Sequence, residues 1–112
     1  MNTAPINFED FQKVDIRIGT ILEVNDFPKA RVPAFQLKID FGALGIKNSS
    51  AQLTSLYQKE DLLNKQVLAV VNFKAKQIAN FKSECLVLGV QNDKDVVLLR
   101  AQQGVKNGTQ VL

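Results

Sequence analysis

The chain contains no histidine, no tryptophan, one cysteine, one methionine and three prolines in 112 residues. Each scarcity removes a class of chemistry. With no histidine and one cysteine, His-based triads and the usual zinc ligand sets are excluded. The lone cysteine, Cys85, cannot close an internal disulfide. It sits inside a strand-like run, which predicts a buried small hydrophobe in a reducing compartment. No apolar run approaches the roughly 20 residues of a membrane helix. The N-terminal stretch, residues 1–11, lacks both the basic region and the apolar core of a signal peptide, which predicts a cytoplasmic location and no membrane association. The nearest candidate for a phosphate loop, Gly42–Gly45, lacks the lysine-serine ending and the helix that should follow. Eleven carboxylates remain, but no spacing marks an acid/base pair. The sequence predicts a binding protein, not an enzyme, with no metal and no cofactor.

What is present is ordinary globular material, 46% hydrophobic and 22% charged, long enough for one core, so residues 1–112 are read as a single domain. A net charge of +3 is a mild lean towards anionic partners, so placement matters more than total. Placement singles out residues 66–90. Two apolar runs, Val67–Phe73 and Cys85–Val90, bracket an eleven-residue connection that carries Lys74, Lys76 and Lys82. Connections this long between strands are usually functional.

The rest of the chain reads as short strands. Asn7–Lys13 predicts a short helix with Asn7 as N-cap and an aromatic stripe of Phe8 and Phe11. Val14–Val24 predicts a long strand, bent or bulged where its apolar phase shifts after Gly19. A loop with two prolines and the basic pair Lys29 and Arg31 follows. Ala34–Phe41 alternates cleanly, with Phe35, Leu37, Ile39 and Phe41 inward. Lys47–Leu53 is a polar strand. Ser55–Leu63 predicts one or two helical turns, with Leu56, Tyr57 and Leu63 plugging a barrel end. The two apolar runs should be covered on both faces. Asn92–Asp95 predicts a turn, and Val96–Ala101 a hairpin with the strand before it. The pattern predicts an all-β fold, a five-stranded Greek-key barrel of the OB type with a short N-terminal helix and a helical insertion between strands three and four. An open sheet or a small sandwich is the alternative.

Four blocks carry a resemblance: FQKVDIRIGTI (Phe11–Ile21), DFGALGIKNSSAQL (Asp40–Leu53), VNFKAKQIANFKSECLVLG (Val71–Gly89) and VKNG (Val105–Gly108). Together they resemble the CsaA family, homodimeric OB-fold proteins described as export-related chaperones. That family lies within the wider tRNA-binding-domain superfamily, which includes the C-terminal appendix of bacterial methionyl-tRNA synthetase. The resemblance implies a dimer and the binding of tRNA or similar structured RNA by shape and charge, with chaperone activity towards unfolded or exported polypeptides beside it. The alternative is an export-related chaperone that binds exposed peptide segments of preproteins without a physiological RNA ligand. On the resemblance, the RNA-binding residues are Asn72, Lys74, Lys76, Lys82, Ser83 and Glu84, with Ser49 and Ser50 on the neighbouring strand. The chain departs from the family pattern at Lys74-Ala75, where two prolines are expected. It departs again at Ala79, expected as glycine, at Lys82, expected as hydrophobic, and at Cys85, expected as valine-like. Losing the prolines leaves the connection less preorganised, while Lys74 and Lys82 raise its charge.

Simpler roles stand beside these. Surface lysines often serve solubility alone. Ser83 can cap a turn and Glu84 can pair with a lysine. Arg17 reads as an ion-pair partner of Asp15 on the polar face of its strand. Phe81 can stack on a base, cap the barrel or line a seam. An exposed Ile78 and Phe81 would make an unusual apolar patch in a monomer. Phe73, Ile78 and Phe81 are therefore assigned to a peptide groove or to a dimer, and Phe8 and Phe11 to a barrel cap or a dimer contact.

Overall fold

Alternation in the first half of the chain builds the sheet. The computed structural model describes residues 3–112, so Met1 and Asn2 of the N-terminal stretch lie outside it. Helix α1 (Phe8–Gln12) leads into strands β1 (Ile16–Asp26), β2 (Phe35–Asp40) and β3 (Ile46–Ala51), then helix α2 (Lys59–Leu62) and strand β4 (Gln66–Val70). Strands β5 (Lys76–Ile78), β6 (Phe81–Ser83), β7 (Leu86–Val87), β8 (Gly89–Asn92) and β9 (Asp95–Leu98) complete the series. One antiparallel sheet runs β3-β2-β1-β4-β7, and two separate ribbons pair β5 with β6 and β8 with β9. The first three strands form a meander, the fourth returns beside the first, and the fifth comes round towards the third. This is the nearly closed five-stranded barrel expected of an OB fold.

Inward residues of β2 (Phe35, Leu37, Ile39), with Phe41, Ile21, Val67 and Ala69, form the core. Burial of such side chains contributes on the order of 1.5–3 kcal/mol each. Leu62 of α2, fully buried, is the plug of one barrel end, with Tyr57 packed beside it and its hydroxyl accepting from the Leu98 N–H at 3.0 Å. Leu56 and Leu63, expected in that role, point to solvent. A four-residue helix presents one inward position, and Leu62 occupies it.

The register shift of β1 does not fall at Gly19. Ile21 pairs with Ile39 and Glu23 with Lys38, leaving Leu22 as the bulged residue. Gly19 keeps regular pairing with Val67, and its bare Cα lets β2 approach closely: a Cβ there would stand 2.6 Å from Ile39 Cγ2 and 2.7 Å from the Phe41 ring. The apolar run Cys85–Val90 also differs from expectation. Leu86 and Val87 pair with β4 and the Leu88 N–H donates to Leu68 O at 2.9 Å, while the chain from Gly89 departs as a ribbon with β9. Leu86 and Val90 are therefore about half exposed, and the run is not covered on both faces. Phe73, at the end of the other run, is 57% exposed because β4 stops at Val70.

The C-terminal segment straps β1. Ile18 N–H donates to Thr109 O, Gly108 N–H to Ile18 O and Val111 N–H to Ile16 O. Arg17 does more than pair with Asp15 (2.6 Å), since its Nη1 also donates to Gly108 O at 3.0 Å.

Candidate functional site

The connection from Lys74 to Glu84 is a hairpin, not a loop. Lys76 pairs with Ser83, Gln77 with Lys82, and Ile78 with Phe81 across the two-residue turn Ala79-Asn80. Ala79 is left-handed, with φ of 50°. A left-handed first turn residue is where a two-residue hairpin favours glycine. Side chains alternate across a ribbon. Lys76, Ile78, Phe81 and Ser83 therefore share one face, and Gln77 and Lys82 the other. The three lysines do not form one cluster.

The exit of this hairpin closes the barrel. The Ser50 N–H donates to Ser83 Oγ at 3.0 Å and the Asn48 N–H to Glu84 Oε1 at 2.9 Å. The Glu84 N–H donates back to Asn48 O at 2.8 Å. Ser49 is fully buried and its hydroxyl donates to Cys85 O at 2.9 Å. Side chains and the one backbone rung from Glu84 to Asn48 thus take the place of a β3–β7 ladder, satisfying backbone groups that would otherwise be stranded at the seam. Four residues expected to meet RNA are placed by these bonds and others like them. Ser49 has no surface to offer, which corrects its assignment. Ser83 and Glu84 hold β3. Asn72 pins the entry of β1, its Oδ1 accepting from the Asp15 N–H (3.0 Å) and its Nδ2 donating to Lys13 O (2.7 Å). Cys85 lies in the same seam, where burial pushes its thiol from 9.0 up to about 11. It is the buried, unactivated cysteine expected.

Two grooves flank the hairpin. The first, about 560 Å³, is lined by Phe73, Ile78 and Leu86 together with Lys74, Lys76 and Glu84. The second, about 520 Å³, brings Lys29, Arg31 and Val32 of the β1–β2 loop against Lys76, Ile78 and Ala79. Ser50, Gln52, Lys76 and Ile78 line both, so the grooves are contiguous. Lys29 and Arg31 stand far from the lysine-bearing connection in sequence, and packing of the β1–β2 loop on the hairpin brings them to it. Their sole sequence signal was a basic pair in a loop at one end of a barrel, where OB folds take ligands. The ion pairs among the described residues are Lys13–Asp10, Arg17–Asp15, Lys38–Glu23 and Lys59–Asp26. Lys29, Arg31, Lys74, Lys76 and Lys82 are in none of them.

Phe81 does not line either groove. Its ring meets Phe27 edge to face, centroids 5.4 Å apart, which ties the hairpin to the β1–β2 loop. Of the proposed apolar groove, Phe73 and Ile78 remain and Leu86 takes the third place. Phe8 and Phe11 lie elsewhere, 6.2 Å apart by centroids, beside Val14, Val111 and Leu112. Phe8 is 65% exposed and Ile6 69%. Among the described residues no group of three or more acidic, cysteine or histidine side chains is arranged to hold a metal, and no helix is long and apolar enough to cross a membrane.

Comparison with known proteins agrees with this geometry. A family model described as a putative tRNA binding domain matches residues 16–110. The crystal structure of the chaperone CsaA from Bacillus anthracis is 54% identical, with a TM-score of 0.91 over 97% of this chain and all of that one. The CsaA chaperone protein of Picrophilus torridus is 50% identical, with the same TM-score over 96% of this chain and all of that one. Methionine–tRNA ligase of Pyrococcus horikoshii is 36% identical over 106 residues, which is 95% of this chain. The chain spans only 14% of the length of that ligase.

Proposed function

The chain belongs to the tRNA-binding-domain family, and on that premise we propose that it is a non-catalytic, homodimeric, cytoplasmic protein of one domain that binds tRNA or similarly folded RNA by shape and charge. The observation that carries this reading is the set of cations around the β5–β6 hairpin. Lys29, Arg31, Lys74 and Lys76 line the two contiguous grooves and belong to no ion pair among the described residues. Lysine supplies charge without the planar fork that reads bases, which suits recognition of a phosphate surface. Lys82, on the outer face of the hairpin, is a flanking contact in this reading. Ser50 lines both grooves and remains with the interface.

The test is a salt titration of tRNA binding. Each phosphate neutralised contributes about 0.7–0.9 to the slope of log affinity against log salt. Replacing Lys29, Arg31, Lys74 and Lys76 with alanine is expected to weaken binding and lower the slope by about 3. Unchanged affinity and slope would sink the proposal.

A second reading is a peptide-holding chaperone acting on exported or unfolded polypeptides. It is favoured by the apolar walls of the first groove, Phe73, Ile78 and Leu86, and by likeness to two CsaA chaperones along their whole length. Loss of peptide binding in Phe73→Ala, with tRNA binding intact, is the result expected if this activity is the physiological one.

A further inference from the structure

We propose that the groove beside the hairpin takes one unpaired nucleotide of a folded RNA, its base laid on the Phe73 ring and its neighbouring phosphates held by Lys74 and Lys76. This rests on the RNA-binding reading and adds the feature of the RNA that is recognised. Phe73 is a bare aromatic ring, 57% exposed, at the mouth of a groove of about 560 Å³. That volume lies within the range of small-ligand sites, about 300–1,000 Å³. Its lining combines the apolar Phe73, Ile78 and Leu86 with the cations Lys74 and Lys76. Glu84 is the one acid on the lining, and its Oε1 already accepts from the Asn48 N–H. A nucleotide has the same division, with a flat base of low polarity on its faces and an anionic backbone beside it.

A paired A-form helix does not match this surface. Its base faces are stacked away, and it presents phosphates, 2′-hydroxyls and minor-groove base edges but no open ring face. Phosphate contacts need the lysines but leave Phe73 without a role. Unstacked bases of loops and bulges, in contrast, are taken up on aromatic side chains. Gln52 and Ser50 line the groove beside Phe73 and supply polar groups for a base edge. Only the backbone N–H of Ser50 is engaged, with Ser83 Oγ. The second groove continues from the first through Lys76 and Ile78, and its Lys29 and Arg31 lie where the RNA backbone would run on.

The experiment compares tRNA binding by wild type, Phe73→Leu and Phe73→Trp, with Lys74→Ala/Lys76→Ala as reference. Leucine keeps apolar bulk but removes the stacking face, and is expected to weaken tRNA binding roughly 5- to 150-fold. The salt slope should stay as in wild type, because no cation is lost. Phe73→Trp is expected to bind as well as wild type or better. A blunt RNA duplex without unpaired nucleotides should bind more weakly and respond equally to all three proteins. Wild-type tRNA affinity in Phe73→Leu, a loss in Phe73→Trp, or a duplex that competes as well as tRNA each overturns the nucleotide pocket. Loss of peptide capture alone in Phe73→Leu also overturns it, and assigns the groove to polypeptide. If the lysine variant also binds tRNA with unchanged affinity and slope, the RNA-binding reading itself has failed. If the lysine variant weakens and Phe73→Leu does not, only the pocket is lost.

Discussion

The hydroxyl of Ser83 accepts the backbone N–H of Ser50 at 3.0 Å, so a side chain serves as a rung between β3 and the hairpin exit. Ser83→Ala leaves that partly buried N–H without its partner. The cost of such a loss is about 1–3 kcal/mol. For a chain of this length, that corresponds to a fall in Tm of several degrees or more. Thermal unfolding checks the size, and amide exchange at Ser50 should accelerate in the variant.

Ala79 occupies a left-handed turn position at φ 50°, which costs a residue with a Cβ roughly 1–2 kcal/mol. Glycine there removes the strain but adds freedom to the unfolded chain, about 0.4–1 kcal/mol in the other direction. Ala79→Gly is therefore expected to stabilise the protein by between about 0 and 1.5 kcal/mol, a difference that urea denaturation measures. A loss in midpoint would show that the turn does not hold this conformation in solution.

Burial raises the Cys85 thiol to about 11 from 9.0, and this sets a pH window. Below 9 the thiol is protonated in both folded and unfolded chains, and its contribution is fully present. Between 9 and 11 the unfolded chain loses its proton first, so stability falls as pH rises, at up to about 1 kcal/mol per pH unit. Cys85→Ala should lack this component of the alkaline slope. Parallel denaturant titrations at pH 8, 9 and 10 check it. At neutral pH the thiol should react with a thiol-specific reagent only on unfolding.

Ile6, Phe8, Val14 and Leu112 leave a large apolar face at the terminal end of the barrel, with Phe11 half-buried beneath Phe8. A second copy of the chain covering that face is the dimer proposed above. Phe8→Asp is expected to shift the molar mass from dimer towards monomer in sedimentation or light scattering. A monomeric wild type, or a dimer untouched by the substitution, rejects this seam.

Much of the barrel was legible because its evidence is local. The alternation of Phe35, Leu37 and Ile39 against Gln36 and Lys38 is a period-two signal that needs no partner to be read. Helices α1 and α2, the β8–β9 turn and the buried Cys85 followed from equally short windows. Misreadings arose where two strands compete for one side chain or one space. Gly19 looked like a bulge, yet it clears room for Phe41, and the bulge moved to Leu22. Leu62 displaced Leu56 and Leu63 as plug because the inward position of the short helix falls on it, while the other two lie outside the helix and exposed.

The candidate site divides in the same way. The sequence by itself determined which residue types the surface can offer: lysines, an aromatic at the strand exit, no histidine and a single cysteine. The tertiary structure decided which of them are free to meet a ligand. Ser49, Ser83, Glu84 and Asn72 are polar residues that any reading of binding chemistry selects, and all four satisfy the chain's own backbone or core. Lys29 and Arg31, passed over as a loop pair, stand beside Lys76 once the β1–β2 loop packs on the hairpin. Hydrogen-bond demand at a barrel seam and proximity across a fold are both set by pairing between distant segments. No local window of sequence contains that information.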